Sequence, residues 1–178
     1  RELRLASFRL PLSVLLAVLV FGTLRVGFAK SWGKDTLAVA AVGTDSDISS
    51  LPLATKAQNQ AFKSALFQRT AIAARAGAKL VVWNEAALVI LPAEEVDLRD
   101  SISVLAAQYR VSLVAAYIVA VSQNPLRYEN KYLYVDPQGN TLHTYQKHEP
   151  VPGEPSMKGT ELQETMTIEG SKIGGAIC

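Results

Sequence analysis

The sequence predicts an α/β domain with one mixed β-sheet and helices on one of its faces, preceded by an apolar helix. Three observations predict this class. Residues Leu10–Leu24 form an almost uninterrupted apolar run. From Thr36 to Val121, three short apolar runs typical of buried strands alternate with two segments of helical spacing. After Tyr128, strand patterns are joined by turn-forming residues, and this order of elements is typical of a mixed α/β sheet.

The N-terminal apolar run is interpreted as a transmembrane helix. Leu10–Leu24 is flanked by Arg9 and Arg25, and as a helix it would span roughly 22 Å. It reaches the ~30 Å of a hydrocarbon core only if Leu5–Phe8 and Val26–Ala29 join it. Each side carries three Lys or Arg residues, so the orientation of the helix is not predicted.

Two alternatives remain for this run. A signal peptide would use the basic residues before it and the sequence G-F-A at 27–29 as its cleavage site. A buried amphipathic helix would need a polar face, which the run lacks. Because the chain starts with Arg1 and stops within a strand pattern, we expect it to be a fragment at both ends. The predicted division is a transmembrane segment and hinge at 1–34 and a domain at 35–178, truncated at its C-terminal side.

The segments from Thr36 onward follow in a clear order. The predicted strands and helices that alternate are the strand Thr36–Val42, the helix Lys56–Ala76, the strand Lys79–Trp83, the helix from Pro92 to about Arg110, and the strand Val111–Val121. The predicted hairpins are Tyr128–Val135 with Thr141–Lys147, and Met166–Ile168 with Lys172–Cys178. If the sheet is apolar on both faces, the face without helices needs a second layer, which we expect the missing C-terminal part to supply.

Composition excludes several classes of function. With 18 basic and 16 acidic residues the formal net charge is only +2, and no basic block is long enough to follow phosphates. A nucleic-acid partner is therefore not predicted. One cysteine excludes an intrachain disulfide and a cysteine-cluster metal site. His143 and His148 are interpreted as solvated side chains, so neither a metal nor a cofactor is predicted.

Three residues of complementary chemistry follow predicted strands. Glu85, Lys147 and Cys178 stand at strand ends, and the carboxyl ends of parallel strands meet at one sheet edge. A carboxylate can take the proton of a thiol, and a fixed ammonium can stabilise the thiolate and the oxyanion that forms on acyl transfer. Taken singly, each residue has a plain alternative: a solvated glutamate, a surface lysine, and an inert buried cysteine.

The motifs around these residues resemble the carbon–nitrogen hydrolase (nitrilase) superfamily. They read A-G-A-K-L-V-V-W-N-E-A-A-L, Y-Q-K-H-E-P-V-P-G-E-P and K-I-G-G-A-I-C, and the likeness covers most of 36–178. The resemblance implies the N-terminal portion of an α-β-β-α sandwich with a Glu-Lys-Cys triad. By position, Glu85 would be the general base, Lys147 the oxyanion-stabilising cation and Cys178 the nucleophile.

Within the superfamily, the chain looks most like the apolipoprotein N-acyltransferase branch, because of Trp83 before the glutamate motif and the apolar helix ahead of the domain. That likeness implies a phospholipid acyl donor, a lipoprotein or small amine acceptor, and a cysteine thioester. It also implies the bacterial inner membrane, with the domain on its outer side. Glu154 matches the second active-site glutamate of the family, and Trp83 and Glu154 are the expected substrate-binding residues.

The motifs also depart from the family pattern. Asn84 stands where proline usually precedes the glutamate, His148 comes one place early, and Glu154 follows Lys147 by seven residues rather than eight. Two other functions therefore stay open. One is an amidase or nitrilase that hydrolyses small C–N substrates, and the other is a membrane-tethered scaffold that no longer catalyses.

Overall fold

A computed structural model describes residues 2–32, 36–45 and 56–177 of the chain. It contains two compact units, Arg1–Thr36 and Leu37–Cys178. The predicted boundary after residue 34 lies outside the described residues. The first unit is helix α1 (Glu2–Trp32). Its segment Phe8–Phe28 is long and apolar enough to cross a membrane, a test that a signal sequence also passes.

The second unit is built on a six-stranded sheet. Its strands are β1 (Val39–Val42), β2 (Leu80–Trp83), β3 (Val89–Ile90), β4 (Ser112–Gln123), β5 (Leu126–Val135) and β6 (Thr141–Gln146). The order across the sheet is β1-β2-β4-β5-β6, and β3 also pairs with β4. Strands β1, β2, β3 and β4 are parallel, whereas β5 is antiparallel to both of its neighbours. Strand β6 therefore runs in the same direction as β2, and both end at the same edge of the sheet.

Two helices cover one face of this sheet, as predicted. They are α2 (Lys56–Arg75) and α3 (Glu95–Tyr109), the latter preceded by a 3₁₀ turn at Pro92–Glu94. The main core lies between these helices and the sheet and contains Leu66, Ile102 and Leu113. Both helices end in left-handed backbone, at Gly77 (φ 98°) and Arg110 (φ 50°). The glycine adopts this conformation without a Cβ clash, as the predicted stop at that position requires.

A two-stranded hairpin packs on part of the other face. Strands β7 (Thr165–Ile168) and β8 (Ser171–Gly174) form it, and their side chains pack on the sheet residues Leu80 and Tyr134. The expectation that the chain supplies nothing for this face is therefore wrong for the region under the hairpin. Strand β8 is shorter than predicted because its pairing with β7 ends at Gly174. Beyond it, Ile177 packs on Tyr132 and Tyr145 of the same face.

Candidate functional site

Lys147 is the centre of a buried cluster of charges. It directly follows β6, and its backbone is held on both sides: its amide donates to the carbonyl oxygen of Asn130 at 2.8 Å, and its carbonyl oxygen accepts from the amide of Gly159 at 2.9 Å. Its side chain is only 2% exposed. Since a buried ammonium is costly unless it is paired, its partners decide what the site can do.

Two carboxylates pair with this ammonium. The Nζ of Lys147 lies 3.4 Å from Oε1 of Glu85, and 3.3 Å and 3.0 Å from Oε1 and Oε2 of Glu154. Glu154 is largely buried, whereas the side chain of Glu85 is 43% exposed. The structure therefore brings together three of the predicted site residues, with one carboxylate enclosed and the other open to solvent.

A tight turn after β2 presents Glu85. The amide of Ala87 donates to the carbonyl oxygen of Asn84 at 3.2 Å, and Ala86 adopts left-handed backbone (φ 55°). Asn84 fixes the turn further, because its Nδ2 donates to the carbonyl oxygen of Glu85 at 3.0 Å and its Oδ1 accepts from the amide of Thr44 at 3.1 Å. The asparagine that departs from the family motif thus ties this turn to the loop after β1.

A second turn presents Glu154. Pro152 and Gly153 occupy its central positions, Gly153 has φ 87°, and the amide of Glu154 donates to the carbonyl oxygen of Val151 at 2.9 Å. Proline followed by a glycine of positive φ is the signature of a type II turn. The carboxylate then folds back, since its Oε2 accepts from the amide of Val151 at 2.8 Å. The P-V-P-G-E sequence therefore fixes the carboxylate before any partner is added.

These contacts shift the protonation of both groups. Burial lowers the pKa of Lys147, but the hydrogen bonds and negative charges of Glu154 and Glu85 outweigh it and hold the pKa above its usual range. Burial raises the pKa of Glu154, but the hydrogen bonds from Val151, Lys147 and Tyr128 outweigh it and hold the pKa below its usual range. Both groups are therefore charged at neutral pH.

Strand β5 adds two side chains that the sequence reading missed. The Nδ2 of Asn130 donates to Oε1 of Glu85 at 2.7 Å, and the hydroxyl of Tyr128 donates to Oε1 of Glu154 at 3.1 Å. Both side chains are buried. The available signal was Asn130 itself, an amide between tyrosines on the buried face of a strand, since buried polar groups need partners.

Of the other two predicted site residues, the structure describes only Trp83, which lies apart from this cluster. Trp83 lies in the core under α2, where its indole Nε1 donates to Oγ1 of Thr70 at 2.9 Å and its ring packs on Phe67. Trp83 is 2% exposed, so packing in the core explains its presence at this position. Cys178 lies outside the described residues, so its placement stays a prediction.

The described part of the site is suited to proton transfer and to stabilisation of negative charge. Glu85 can accept a proton from a group in solvent, and Lys147 offers a fixed ammonium beside it. Within the described ranges, no group of three His, Cys, Asp or Glu side chains is arranged to hold a metal ion. The cation between the carboxylates is the lysine of the chain itself.

Comparison with known proteins identifies the family. A family model described as carbon–nitrogen hydrolase matches residues 38–178. A carbon–nitrogen hydrolase from Helicobacter pylori G27 is similar in structure with a TM-score of 0.57 at 14% identity, covering 80% of this chain and 51% of that one. A variant of the amidase from Nesterenkonia sp. AN1 in complex with butyramide gives a TM-score of 0.56 at 15% identity, covering 78% and 53%.

A further variant of that amidase, with acrylamide added at its active-site cysteine, gives a TM-score of 0.53 at 19% identity and covers 67% of this chain and 52% of that one. The chain thus spans about half the length of these solved structures. No curated protein sequence matches it significantly. At these identities the structures show the fold, and the family model covers most of the chain. The chain belongs to the carbon–nitrogen hydrolase family.

Proposed function

We propose that this protein transfers acyl groups through a cysteine thioester, with Cys178 as nucleophile, Glu85 as general base and Lys147 as the cation that stabilises the oxyanion. The observation that carries the proposal is the Glu85–Lys147–Glu154 cluster, in which a buried ammonium is fixed between an enclosed carboxylate and an open one. Glu154 keeps Lys147 charged and oriented, so that Glu85 can accept and donate protons as the general base.

The reaction proceeds in two halves. Glu85 takes the proton of the Cys178 thiol, and the thiolate adds to the carbonyl carbon of the acyl donor. The negative charge that develops on the carbonyl oxygen is stabilised by Lys147. The intermediate collapses with cleavage of the bond to the leaving group, which receives the proton from Glu85, and the acyl group remains on sulfur. An acceptor then loses its proton to Glu85, attacks the thioester and releases the thiolate.

We further propose that the donor is a phospholipid and the acceptor an amine, as in apolipoprotein N-acyltransferases. Helix α1 supports this substrate class. The 21 residues Phe8–Phe28 extend about 31 Å as a helix, which matches a hydrocarbon core of ~30 Å. Their large apolar side chains are exposed, as lipid contact would require. An anchor of this kind would keep the catalytic domain close to acyl donors that do not leave the bilayer.

Hydrolysis of a small amide is the second candidate. It is supported by the solved structures of similar fold that are amidases, one of them in complex with butyramide and one with acrylamide added at the active-site cysteine. The same first half-reaction would serve, with a C–N bond cleaved in place of an ester bond. Water rather than an amine would then release the acyl group from sulfur.

Mass spectrometry of the intact protein separates these candidates. The protein is incubated either with phosphatidylethanolamine vesicles or with butyramide, and the mass of the peptide that contains Cys178 is measured. A fatty-acyl adduct from vesicles is expected if the donor is a phospholipid. Release of ammonia from butyramide without an adduct from lipid would favour the amidase instead.

Two variants test the mechanism within the same experiment. Cys178→Ala is expected to abolish the adduct, and Glu85→Gln is expected to reduce its rate of formation by roughly 10²- to 10⁴-fold, the usual contribution of a general base. Absence of both an adduct and hydrolysis in the unmodified protein would refute the proposal and leave the scaffold function. Turnover that persists in Cys178→Ala would refute the thioester.

A further inference from the structure

Strand β5 presents a row of donors to the face of the sheet that carries the charge cluster. Side chains alternate between the two faces of a strand, so positions 128, 130, 132 and 134 share one face. Glu129 and Lys131, between them, point to the helix side, where Lys131 pairs with Glu95 of α3. The sequence Y-E-N-K-Y-L-Y therefore places Tyr, Asn, Tyr and Tyr on the face opposite the helices.

The first three of these donors reach three different segments. The hydroxyl of Tyr128 donates to Glu154 in the loop after β6, and the Nδ2 of Asn130 donates to Glu85 in the turn after β2. The hydroxyl of Tyr132 donates to the carbonyl oxygen of Gly175 at 3.1 Å, in the segment that leads to Cys178. One strand thus contacts every segment from which the proposed catalytic residues come.

All three donors are enclosed and held in one place. Tyr128, Asn130 and Tyr132 are 4%, 2% and 2% exposed, and β5 is paired on both of its edges. The contact at Gly175 is also close: a Cβ at this position would lie 3.0 Å from Cζ and the hydroxyl oxygen of Tyr132. A side chain at position 175 would require the tyrosine ring to shift by a few tenths of an ångström, so the glycine favours this close approach of the segment to the sheet.

We propose that Tyr128, Asn130 and Tyr132 are positioning residues that set the relative placement of the second glutamate, the general base and the nucleophile segment. This inference rests on the proposed function for its effect on turnover. The contacts themselves predict that each side chain restrains its own segment. Because the three side chains are two residues apart on one strand, the strand sets the distances between the three segments.

Phenylalanine substitutions test this proposal with minimal disturbance, because each removes only a hydroxyl. Hydrogen–deuterium exchange and steady-state kinetics are measured on the intact protein for Tyr128→Phe and Tyr132→Phe. Tyr128→Phe is expected to speed exchange at the amides of Val151 and Glu154, and Tyr132→Phe at residues 175–177. Each is expected to lower kcat by roughly 10- to 100-fold, as small misplacements of reacting groups do, and to change KM by less than about threefold.

Tyr134→Phe is the matched control. It lies on the same strand and face and is equally buried, but its hydroxyl contacts Ser112 at 3.5 Å, at the end of the sheet away from the charge cluster. The proposal is overturned if Tyr128→Phe and Tyr132→Phe match Tyr134→Phe in both exchange and kcat. If exchange changes segment by segment while the unmodified protein neither acquires an acyl group nor hydrolyses an amide, the positioning role stands and the proposed function fails.

Discussion

At the scale of single residues, Lys147 shows how the site balances its charges. Its ammonium is buried between two carboxylates, so one negative charge is left over, on the side where Glu85 meets solvent. By itself, the enclosed pair of Lys147 and Glu154 would offer no group that can exchange protons with a substrate, because both side chains are largely buried. The addition of an exposed carboxylate at 3.4 Å gives the cluster a group that can exchange protons with a substrate.

Replacement of Lys147 by methionine tests this balance. Lys147→Met leaves two carboxylates facing each other without their cation, and is expected to lower the free energy of unfolding by about 3 kcal/mol, a typical cost of breaking a buried pair. Urea denaturation measures the change. Lys158→Met is the control, since Lys158 pairs with Glu149 on the open surface, where an ion pair adds little to stability. Equal effects of the two substitutions would contradict the role of burial.

The same difference in stability is expected to depend on pH. The pKa of Glu154 is lowered by folding, so its contribution is present above the ordinary carboxyl pKa and is lost as pH falls through the folded value. The pKa of Lys147 is raised by folding, so its contribution is present below the ordinary lysine pKa and is lost as pH rises through the folded value. The difference in the free energy of unfolding between the unmodified protein and Lys147→Met should therefore be largest near neutral pH and become smaller at low and at high pH.

What the sequence could predict at this scale depended on backbone position rather than on side-chain direction. Glu85 and Lys147 were expected to lie together because each follows a predicted strand, and the structure places the Nζ of Lys147 3.4 Å from Oε1 of Glu85. Trp83 was expected beside them, but strand alternation turns it to the helix face together with Val81. Asn130 and Tyr128 were missed because their roles depend on partners 45 and 26 residues away, which no local pattern identifies.

At the scale of elements, the loop after β6 is held beside the site by backbone hydrogen bonds. The amide of Met157 donates to the carbonyl oxygen of Tyr128 at 2.7 Å, and that of Gly159 donates to the carbonyl oxygen of Lys147 at 2.9 Å. The side chain of Gln146 also donates to the carbonyl oxygen of Met157. The segment that follows Glu154 is therefore anchored to β5 and to the end of β6.

Gly159 is the position where this anchoring is most sensitive. A Cβ there would lie 2.4 Å from the carbonyl oxygen of Gln146, a backbone atom that cannot move without disturbing β6. Gly159→Ala is expected to displace the loop, to lower the free energy of unfolding by roughly 1–3 kcal/mol as overpacking does, and to reduce kcat at least tenfold. Thermal unfolding and turnover measure the two effects.

Gly174→Ala is the control for this substitution. A Cβ at Gly174 would meet only Thr165 Cγ2, at an ordinary 3.7 Å. It is expected to leave both stability and turnover nearly unchanged. If Gly159→Ala were equally silent, the loop would have to be free to shift, and the anchoring described above would not restrain Glu154.

The elements themselves were predicted well wherever a hydrophobic period was long. Helix α2 begins at Lys56 as predicted and ends one residue before its predicted end. Strand β3 was missed because two residues, Val89 and Ile90, are too short to show a period, and they are assigned only through pairing with β4. The hairpin β7–β8 was predicted, but its seat on the sheet face was not, since alternation shows which residues are apolar and not what they cover.

At the scale of the whole molecule, the chain joins an apolar helix to a carbon–nitrogen hydrolase domain. Large apolar side chains are exposed along the membrane-length segment of α1, whereas the domain from Leu37 onward encloses its own cores. The two units therefore differ in the surface that they present: α1 exposes an apolar surface, whereas the domain buries most of its large apolar side chains. A lipid environment would suit the exposed apolar side chains of the first unit, and this is why we propose a membrane lipid as the acyl donor.

Membrane association of the intact protein is a direct prediction of this difference. The protein is expected to remain in the membrane fraction after alkaline carbonate extraction. Replacement of Leu15 and Leu19 by arginine should release it, because each charge near the centre of a spanning helix costs about 2.5–3.5 kcal/mol on insertion scales. The control replaces Leu142 and Leu162, exposed residues of the domain, in the same way. A mature N-terminus within or after α1 would identify a cleaved signal sequence instead.

The pairing of β5 with β6 has a consequence for how this protein can change over time. Lys147 follows a strand whose partner across the ladder carries Asn130, so a shift of β6 by one position would turn the ammonium to the opposite side of the sheet. An insertion or deletion of a single residue between His143 and Gln146 is therefore expected to displace the ammonium and abolish turnover, while most of the apolar interior survives. The residues from His143 to Gln146, which pair in regular register with β5, must therefore keep their number.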